Sequence, residues 1–433
     1  MPLRKANIAL LAALAAAVPW MEARAQDGLF IPGLVYRTGP YAPNGIPIAN
    51  GFKDYFNLLN ERDNGIEGVK IIYEECETQY DTKLGVECYE RLKTKNALII
   101  NPYSTGITYA LIPKAPVDKI PILSMGYGRT DAAVGSIHPW VFVTPTGYWS
   151  QLTAKIKYIA SREGGLDKLK GKKIVNIYHN SPYGKETIPI LDVLAKKHGF
   201  VVEHLAVDHP GQEQKATWLK VRQSKPDWII FRGWGVMNQV GVKEAAAIGF
   251  PMDHIVAVWW SGTETDVLPA GDGAKNYISA TFHAPGKGFK IHQDLKTHIY
   301  DKNKGATKWE GVGEVLYNRG LVNAMITAEA IRWAVKKHGK KVTGEHVREG
   351  MENLDLTQAR LDALGFGQMM RPIKVSCDDH EGKGGVIFQQ WTGKEWKLVS
   401  DWIEPMHDVV RPMMEASAQK FAAENKVTPR ACK

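Results

Sequence analysis

Between residues 29 and 278, short runs rich in Val, Ile and aromatic residues alternate with stretches in which apolar side chains recur every three or four positions. The first pattern is expected of buried strands and the second of amphipathic helices. Strands are predicted at 31–36, 69–73, 97–101 and 122–125, with helices at 51–60, 82–93 and 108–114; in the first helix Phe52, Tyr55, Phe56 and Leu59 share one side. A second series follows 144–147: helix 149–161, strand 173–178, helix 184–198, strand 200–206, helix 214–223, strand 228–231, helix 237–248 and strand 255–259. Such alternation produces parallel sheets covered by helices on both faces, so the fold class is α/β with two doubly wound parallel-sheet lobes. Beyond Tyr277 the order changes to a long helix at 314–338, another at 343–351, and a hairpin at 386–399 turning at Thr392-Gly393. A single core stops growing near roughly 250–300 residues, so the chain is expected to divide. The expected first lobe is 26–148 with 282–355 returning to it, and the second is 149–281 with 356–433 returning to it.

The N-terminus changes the picture of where this fold works. Arg4 and Lys5 precede an apolar run over 8–18, and Ala23-Arg24-Ala25 supplies small residues before Gln26. This is the pattern of a cleaved export signal, 1–25, and the run is too short for a bilayer, which needs about 20 apolar residues. No cysteine follows the cleavage point, so no lipid anchor is expected there. No later segment has the length and apolarity of a membrane span, and the mature chain is expected to be soluble and periplasmic. In that compartment four cysteines read as disulfides. Three pairings are possible; the expected one joins Cys76 to Cys88 across a short loop and Cys377 to Cys432, holding the C-terminal tail. The formal charge of +9 includes Arg4, Lys5 and Arg24 against Glu22 in the signal, so the mature chain carries 9 − 2 = +7, a modest basicity that suits an anionic small ligand. Its lysines are scattered, with no basic block or nucleic-acid module, so no nucleic-acid partner is expected.

In open parallel sheets ligands bind beyond the carboxyl ends of the strands. The segments there are Tyr36-Arg37-Thr38-Gly39-Pro40-Tyr41-Ala42-Pro43-Asn44-Gly45, Asn101-Pro102-Tyr103-Ser104-Thr105-Gly106 and Ser124-Met125-Gly126-Tyr127-Gly128-Arg129-Thr130, then Tyr178-His179-Asn180-Ser181-Pro182-Tyr183-Gly184 and the late run from Asp379-His380-Glu381-Gly382 to Trp391. In the opening Thr38–Gly45, the loop Ser104-Thr105-Gly106, the segment Ile120-Pro121-Ile122-Leu123-Ser124-Met125-Gly126, the segment Tyr178–Gly184 and the late run from Asp379 to Trp391, taken in order, the chain resembles the branched-chain amino-acid binding proteins of ABC importers, the type I periplasmic binding protein family. The resemblance covers essentially the whole mature chain. It implies two lobes joined by hinge strands, a small solute trapped between them, delivery to permease subunits in the inner membrane, a monomer, no cofactor and no enzymatic activity.

The candidate ligand contacts are Tyr41, Asn44, Tyr103, Ser104, Thr105, Gly126, Tyr127, Gly128 and Arg129 from the first lobe, and His179, Tyr183, Trp234, Trp260 and Ser261 from the second. Ser104 and Thr105 stand at a helix start, where hydroxyls and free N–H groups can hold a carboxylate. Gly126 and Gly128 allow close approach of backbone. Tyr183 and Trp234 match positions where the family places aromatic rings. Ser261 falls where the amino-acid binders carry an acid for the ligand's ammonium group, and a buried ammonium without a countercharge is costly. A plain α-amino acid therefore fits only if Glu264 or Asp266 reaches the cleft. Aromatic walls with one of Arg37, Arg129 or Arg232 touching the ligand favour a small aromatic or hydrophobic carboxylate; the alternatives are an amino-acid binder and a ligand-sensing subunit of a membrane receptor. No zinc, P-loop, nucleophile-elbow or dinucleotide motif is present. Asp378-Asp379-His380-Glu381 has metal-ligand residue types but reads as a solvated turn.

Overall fold

The computed structural model describes residues 28–432, so the expected signal at 1–25 lies outside them. Leu29–Val35 pairs in parallel with Ile71–Glu77, from Leu29 against Ile71 to Val35 against Glu77. Bridges from Gly33 to Asn101 and from Ile100 to Ile122, followed by the parallel pair Ile122–Leu123 and Val141–Phe142, extend this first sheet. The segment 97–101 thus pairs through isolated bridges rather than as a full strand.

The second sheet has seven strands in the order Trp396–Leu398, Ile387–Trp391, Ile278–Thr281, Ile255–Ala257, Trp228–Arg232, Lys173–His179, Val201–Val207. The five strands between residues 173 and 281 run parallel. The hairpin predicted at 386–399 adds the two antiparallel strands at the edge. Along Trp228–Arg232, Trp228 and Ile230 enter the large core that joins both sheets, while Ile229 and Phe231 enter a smaller core on the opposite face. That alternation is what a central strand with both faces covered requires.

Two glycines fix how the chain crosses back. The helix Val315–His338 lies along Ala42–Arg62; a Cβ on Gly51 would stand 2.0 Å from the Tyr317 carbonyl oxygen, and one on Gly320 2.2 Å from that of Ile48. Only glycine permits this backbone contact. Val315–His338 is consequently buried on nearly all sides and carries little amphipathic signal.

Several elements depart from expectation. The helix expected over 184–198 is two, Pro182–Lys185 and Ile188–His198, the second opening with a proline in its first turn. The first helix, expected to continue over 51–60, runs from Ala42 to Arg62, again with proline in its first turn. Of the segment 356–433, expected with the second lobe, the hairpin joins the seven-stranded sheet, while the helix His407–Asn425 touches both Thr130–Ala133 of the expected first lobe and Tyr148–Glu163 of the second; Ser417 Oγ donates to Asp131 at 2.6 Å, and the Arg430 N–H reaches the Ser136 carbonyl at 2.9 Å. Val410 and Met414 on that helix enter the large core, with Val409 and Met413 packed against it. Both expected disulfides are present, Cys76–Cys88 and Cys377–Cys432, with Cα separations of 5.8 and 5.4 Å. Among the described residues no helix is long and apolar enough to cross a membrane.

Candidate functional site

The carboxyl ends of both sheets converge on one narrow cavity with a free volume of about 10 Å3, closed down by the side chains that line it. From the first sheet it is lined by Tyr36 and Tyr80, which follow its two long strands, by Tyr103, Ser104 and Thr105 after the Asn101 bridge, and by Tyr127. From the other side come Tyr148, Tyr183, Trp234 and Trp260, the last three following strands of the seven-stranded sheet. Eight of these ten side chains are aromatic, and none carries a formal charge.

The rings hold one another edge to face. Trp234 meets Trp260 with centroids 5.5 Å apart and planes at 80°, and meets Tyr36 at 6.1 Å and 78°. Tyr148 and Tyr183 are 5.6 Å apart. Hydrogen bonds set their tilt: the Tyr103 N–H donates to Tyr127 Oη at 2.6 Å, Tyr36 donates to the Tyr103 carbonyl at 3.2 Å, and Tyr183 donates to the Gly233 carbonyl at 2.9 Å. Tyr80 and Tyr103 adopt left-handed φ of 63° and 51°, a conformation that costs a tyrosine about 1–2 kcal/mol and concentrates at functional sites. Burial pushes the phenol pKa values of Tyr36, Tyr80, Tyr103, Tyr127, Tyr148 and Tyr183 up, so the wall presents neutral hydroxyls. Ser104 caps the helix Thr105–Leu111, accepting from the Ile107 N–H at 3.3 Å, while the buried Thr105 hydroxyl has no partner among the described residues.

Behind this neutral lining stand buried cations. The Arg232 guanidinium lies 4.3 Å from the Tyr148 ring centre and 4.9 Å from that of Tyr183; Arg319 lies 5.0 Å from Trp260. Arg232 donates to the Tyr183 carbonyl at 2.9 Å. Arg319 donates to His283 Nε2, to Thr281 Oγ1 and to the Trp259 carbonyl, and burial lowers its pKa to about 9. Among the described residues neither pairs with a carboxylate.

The other candidates lie outside the lining, each for a visible reason. Tyr41 packs on Tyr80 and places its hydroxyl 2.9 Å from both His179 Nε2 and His209 Nδ1, while His179 Nδ1 is 2.8 Å from Ser181 Oγ. Asn44 donates to Asp266 at 3.0 Å. The Gly126 carbonyl accepts from Trp259 Nε1 at 2.7 Å and Trp260 Nε1 at 3.3 Å. Gly128 sits where a Cβ would approach Thr105 and Glu186 to within 2.8 and 2.9 Å. Arg129 turns away to Asp131 at 2.5 Å and stacks on Phe421, and Arg37 is taken by Glu75 and Asn50. Ser261 donates to the Gly233 carbonyl at 2.7 Å. Glu264 and Asp266 do not reach the cavity: the first accepts from Thr263 Oγ1 and the Val315 N–H, the second from Asn44, Asn238 and the Thr263 N–H. The Asp378–Glu381 turn is solvated only in part. His380 and Glu381 are buried, with His380 stacked on Phe142 and Glu381 accepting from the Gly147 N–H.

Residues 28–395 match the family described as periplasmic binding protein. The chain belongs to that family. It is thus a solute-binding protein rather than an enzyme, with the type I fold. A crystal structure named as an ABC transporter permease from the Pseudomonas fluorescens group is 43% identical, covers 94% of this chain and 100% of its own, and superposes with a TM-score of 0.86. A branched-chain amino-acid ABC transporter protein from Thermus thermophilus with bound valine is 21% identical, over 89% of this chain and 98% of its own, with a TM-score of 0.73. A solute-binding protein of an ABC transporter from R. palustris in complex with benzoate is 16% identical, over 87% and 97%, with a TM-score of 0.67. No curated protein matches the sequence. In this binding protein Tyr36, Tyr80 and Tyr148 line the cavity although sequence reasoning missed them. Tyr36 and Tyr80 had the same signal as Tyr103, an aromatic just past a strand end.

Proposed function

We propose that this protein is exported to the periplasm, captures a small aromatic or otherwise hydrophobic carboxylate in the tyrosine- and tryptophan-lined cavity, and delivers it to the permease of an ABC importer. The observation that carries the reading is a neutral aromatic lining backed by the unpaired cations Arg232 and Arg319. Flat apolar walls take a ring or a short hydrocarbon body. A positive field behind them favours one negative charge on it, with the Thr105 hydroxyl and the neutral phenols as donors. An α-amino acid fits poorly, because its ammonium would meet cations and no carboxylate. A benzoate-bound protein among those sharing the fold is in line with this choice.

Binding would proceed by closure: solute lands on Tyr103, Ser104, Thr105 and Tyr127, and Tyr183, Trp234 and Trp260 close over it, selecting the closed state by differential affinity. Equilibrium titration of the solute-free protein against benzoate-type acids, aliphatic acids and amino acids tests the proposal. Saturable binding of aromatic or hydrophobic acids is expected. Tight binding of leucine or valine alone would defeat it. Loss of solute uptake on gene deletion separates a transport role from a sensing one.

A further inference from the structure

Tyr148, Gln151, Lys155 and Tyr158 recur at three- and four-residue spacing along the helix Tyr148–Glu163 and share one side of it. Tyr158 stacks on Phe388 of the second sheet, ring centroids 4.2 Å apart, so that side faces the sheet. On the sheet, Trp228, Ile230 and Arg232 point to one face, and the Arg232 guanidinium rests on the Tyr148 ring at 4.3 Å. Lys155, Gln151 and Arg232 therefore enter the same layer between helix and sheet, and all three are fully buried. One Arg232 nitrogen, Nη2, donates to the Tyr183 carbonyl. Its Nε and Nη1, the Lys155 Nζ and both polar atoms of the Gln151 amide have no hydrogen-bonding partner among the described residues.

Two like charges in one dry layer cost several kcal/mol each unless something of opposite sign joins them. Glu381, the buried acid near the start of this helix, is held by the Gly147 N–H at 2.5 Å. Burial and then Arg232 push the Lys155 pKa far down, so without a countercharge the ammonium would give up its proton.

We propose that this layer is a second binding site, taking a small inorganic anion such as chloride between the Lys155 ammonium, the Nε and Nη1 edge of Arg232 and the Gln151 amide. The anion keeps Lys155 protonated and satisfies donors that no protein group reaches. It also sets the charge behind Tyr148, so the solute cavity and the anion site share a wall without sharing a ligand.

Bromide replaces chloride and scatters anomalously, which makes it the probe. Crystals of the solute-free protein soaked in sodium bromide should show an anomalous peak between Lys155 and Arg232. In solution, chloride should raise Tm saturably over gluconate in the wild type, and Lys155→Met should lose that rise. No peak in the layer, or the same chloride dependence in wild type and Lys155→Met, overturns the site and leaves Lys155 a neutral amine. If Lys155→Met fails to fold, the wild-type bromide map decides. Titrating aromatic acids into the same samples keeps the two proposals apart: a bromide peak in a protein that binds no such acid defeats only the functional reading.

Discussion

Asn44, on the first turns of the helix Ala42–Arg62, donates a hydrogen bond of 3.0 Å to Asp266, which belongs to the segment following the seven-stranded sheet's Ile255–Ala257 strand. Asn238 shares the same carboxylate oxygen at 3.0 Å, and the Thr263 N–H takes the other at 3.1 Å. Even so, burial wins over these three donors and raises the Asp266 pKa from 3.8 to about 7, with Glu264 adding repulsion. The folded protein therefore holds a proton there that the unfolded chain has released. The resulting stabilisation is complete below pH ~4 and lost as pH rises through about 7; at about 1.4 kcal/mol per tenfold it is bounded near 4 kcal/mol. Asp266→Asn removes the titration. The Tm of wild type minus that of Asp266→Asn should fall between pH 5 and 8, and a difference flat across that range would show that Asp266 ionises normally.

Trp234 is the ring that ties the two sides of the cavity, touching both Tyr36 and Trp260. Trp234→Ala removes stacking area that the solute would bury. Affinity for the preferred acid should drop by about tenfold to several hundredfold. Calorimetric titration reads this directly, and an unchanged Kd would remove Trp234 from the binding surface.

Arg232 touches the lining rings but is not itself part of the lining, so its contribution is one of charge. Arg232→Met should weaken an aromatic carboxylate by about tenfold or more and leave the matching neutral amide nearly unaffected, because the amide draws little from the positive field. Equal losses for acid and amide would mean that the substitution acts by loosening Tyr148 and Tyr183.

The architecture was legible because its signals are local and repeated. The helix Thr82–Lys93 runs over the residues expected of it, since Asp81 caps its start by accepting from the Leu84 N–H and its apolar face is clean. Helix His407–Asn425 went unread despite its apolar spacing, with Pro412 inside it. At the cavity, the rule that strand ends face ligand brought in Tyr103, Ser104, Thr105, Tyr127, Tyr183, Trp234 and Trp260, and it applied equally to Tyr36 and Tyr80. It says nothing of side chains whose direction a neighbour decides. Arg129 is drawn off by Asp131 two residues on, and Tyr41 is turned by His179 and His209, far away in the chain. Of the two cations behind the wall, Arg232 was among the arginines the sequence offered, whereas Arg319 was the harder to read, because it arrives from a helix that lies late in the sequence and packs there only in three dimensions.

The two disulfides close loops of unequal length, with sequence separations of 12 and 55. On the loop-entropy account the shorter contributes about 3 kcal/mol and the longer about 4 kcal/mol. Replacing Cys377 and Cys432 together by serine should therefore lower Tm more than replacing Cys76 and Cys88. It should also raise hydrogen exchange at the tail, where Arg430 meets Ser136 and Glu352. A smaller Tm loss for the longer bridge would show that the tail is held by those polar contacts instead.

Tyr41 tests closure without touching solute. Its hydroxyl joins His179 Nε2 and His209 Nδ1, both beyond the first sheet, and it lies outside the cavity lining. In Tyr41→Phe these bonds are lost from the closed form alone, since in an open form water would serve the imidazoles. The closed state should weaken by about 1–3 kcal/mol, the range for a buried polar group left unpaired. Apparent affinity falls with the closed population, so every solute should lose the same factor, roughly 5- to 150-fold. Trp234→Ala should instead reorder the panel, because it changes the surface each solute meets. Titration of the full panel against both variants separates the cases: solute-dependent losses in Tyr41→Phe would place that residue in the binding surface after all.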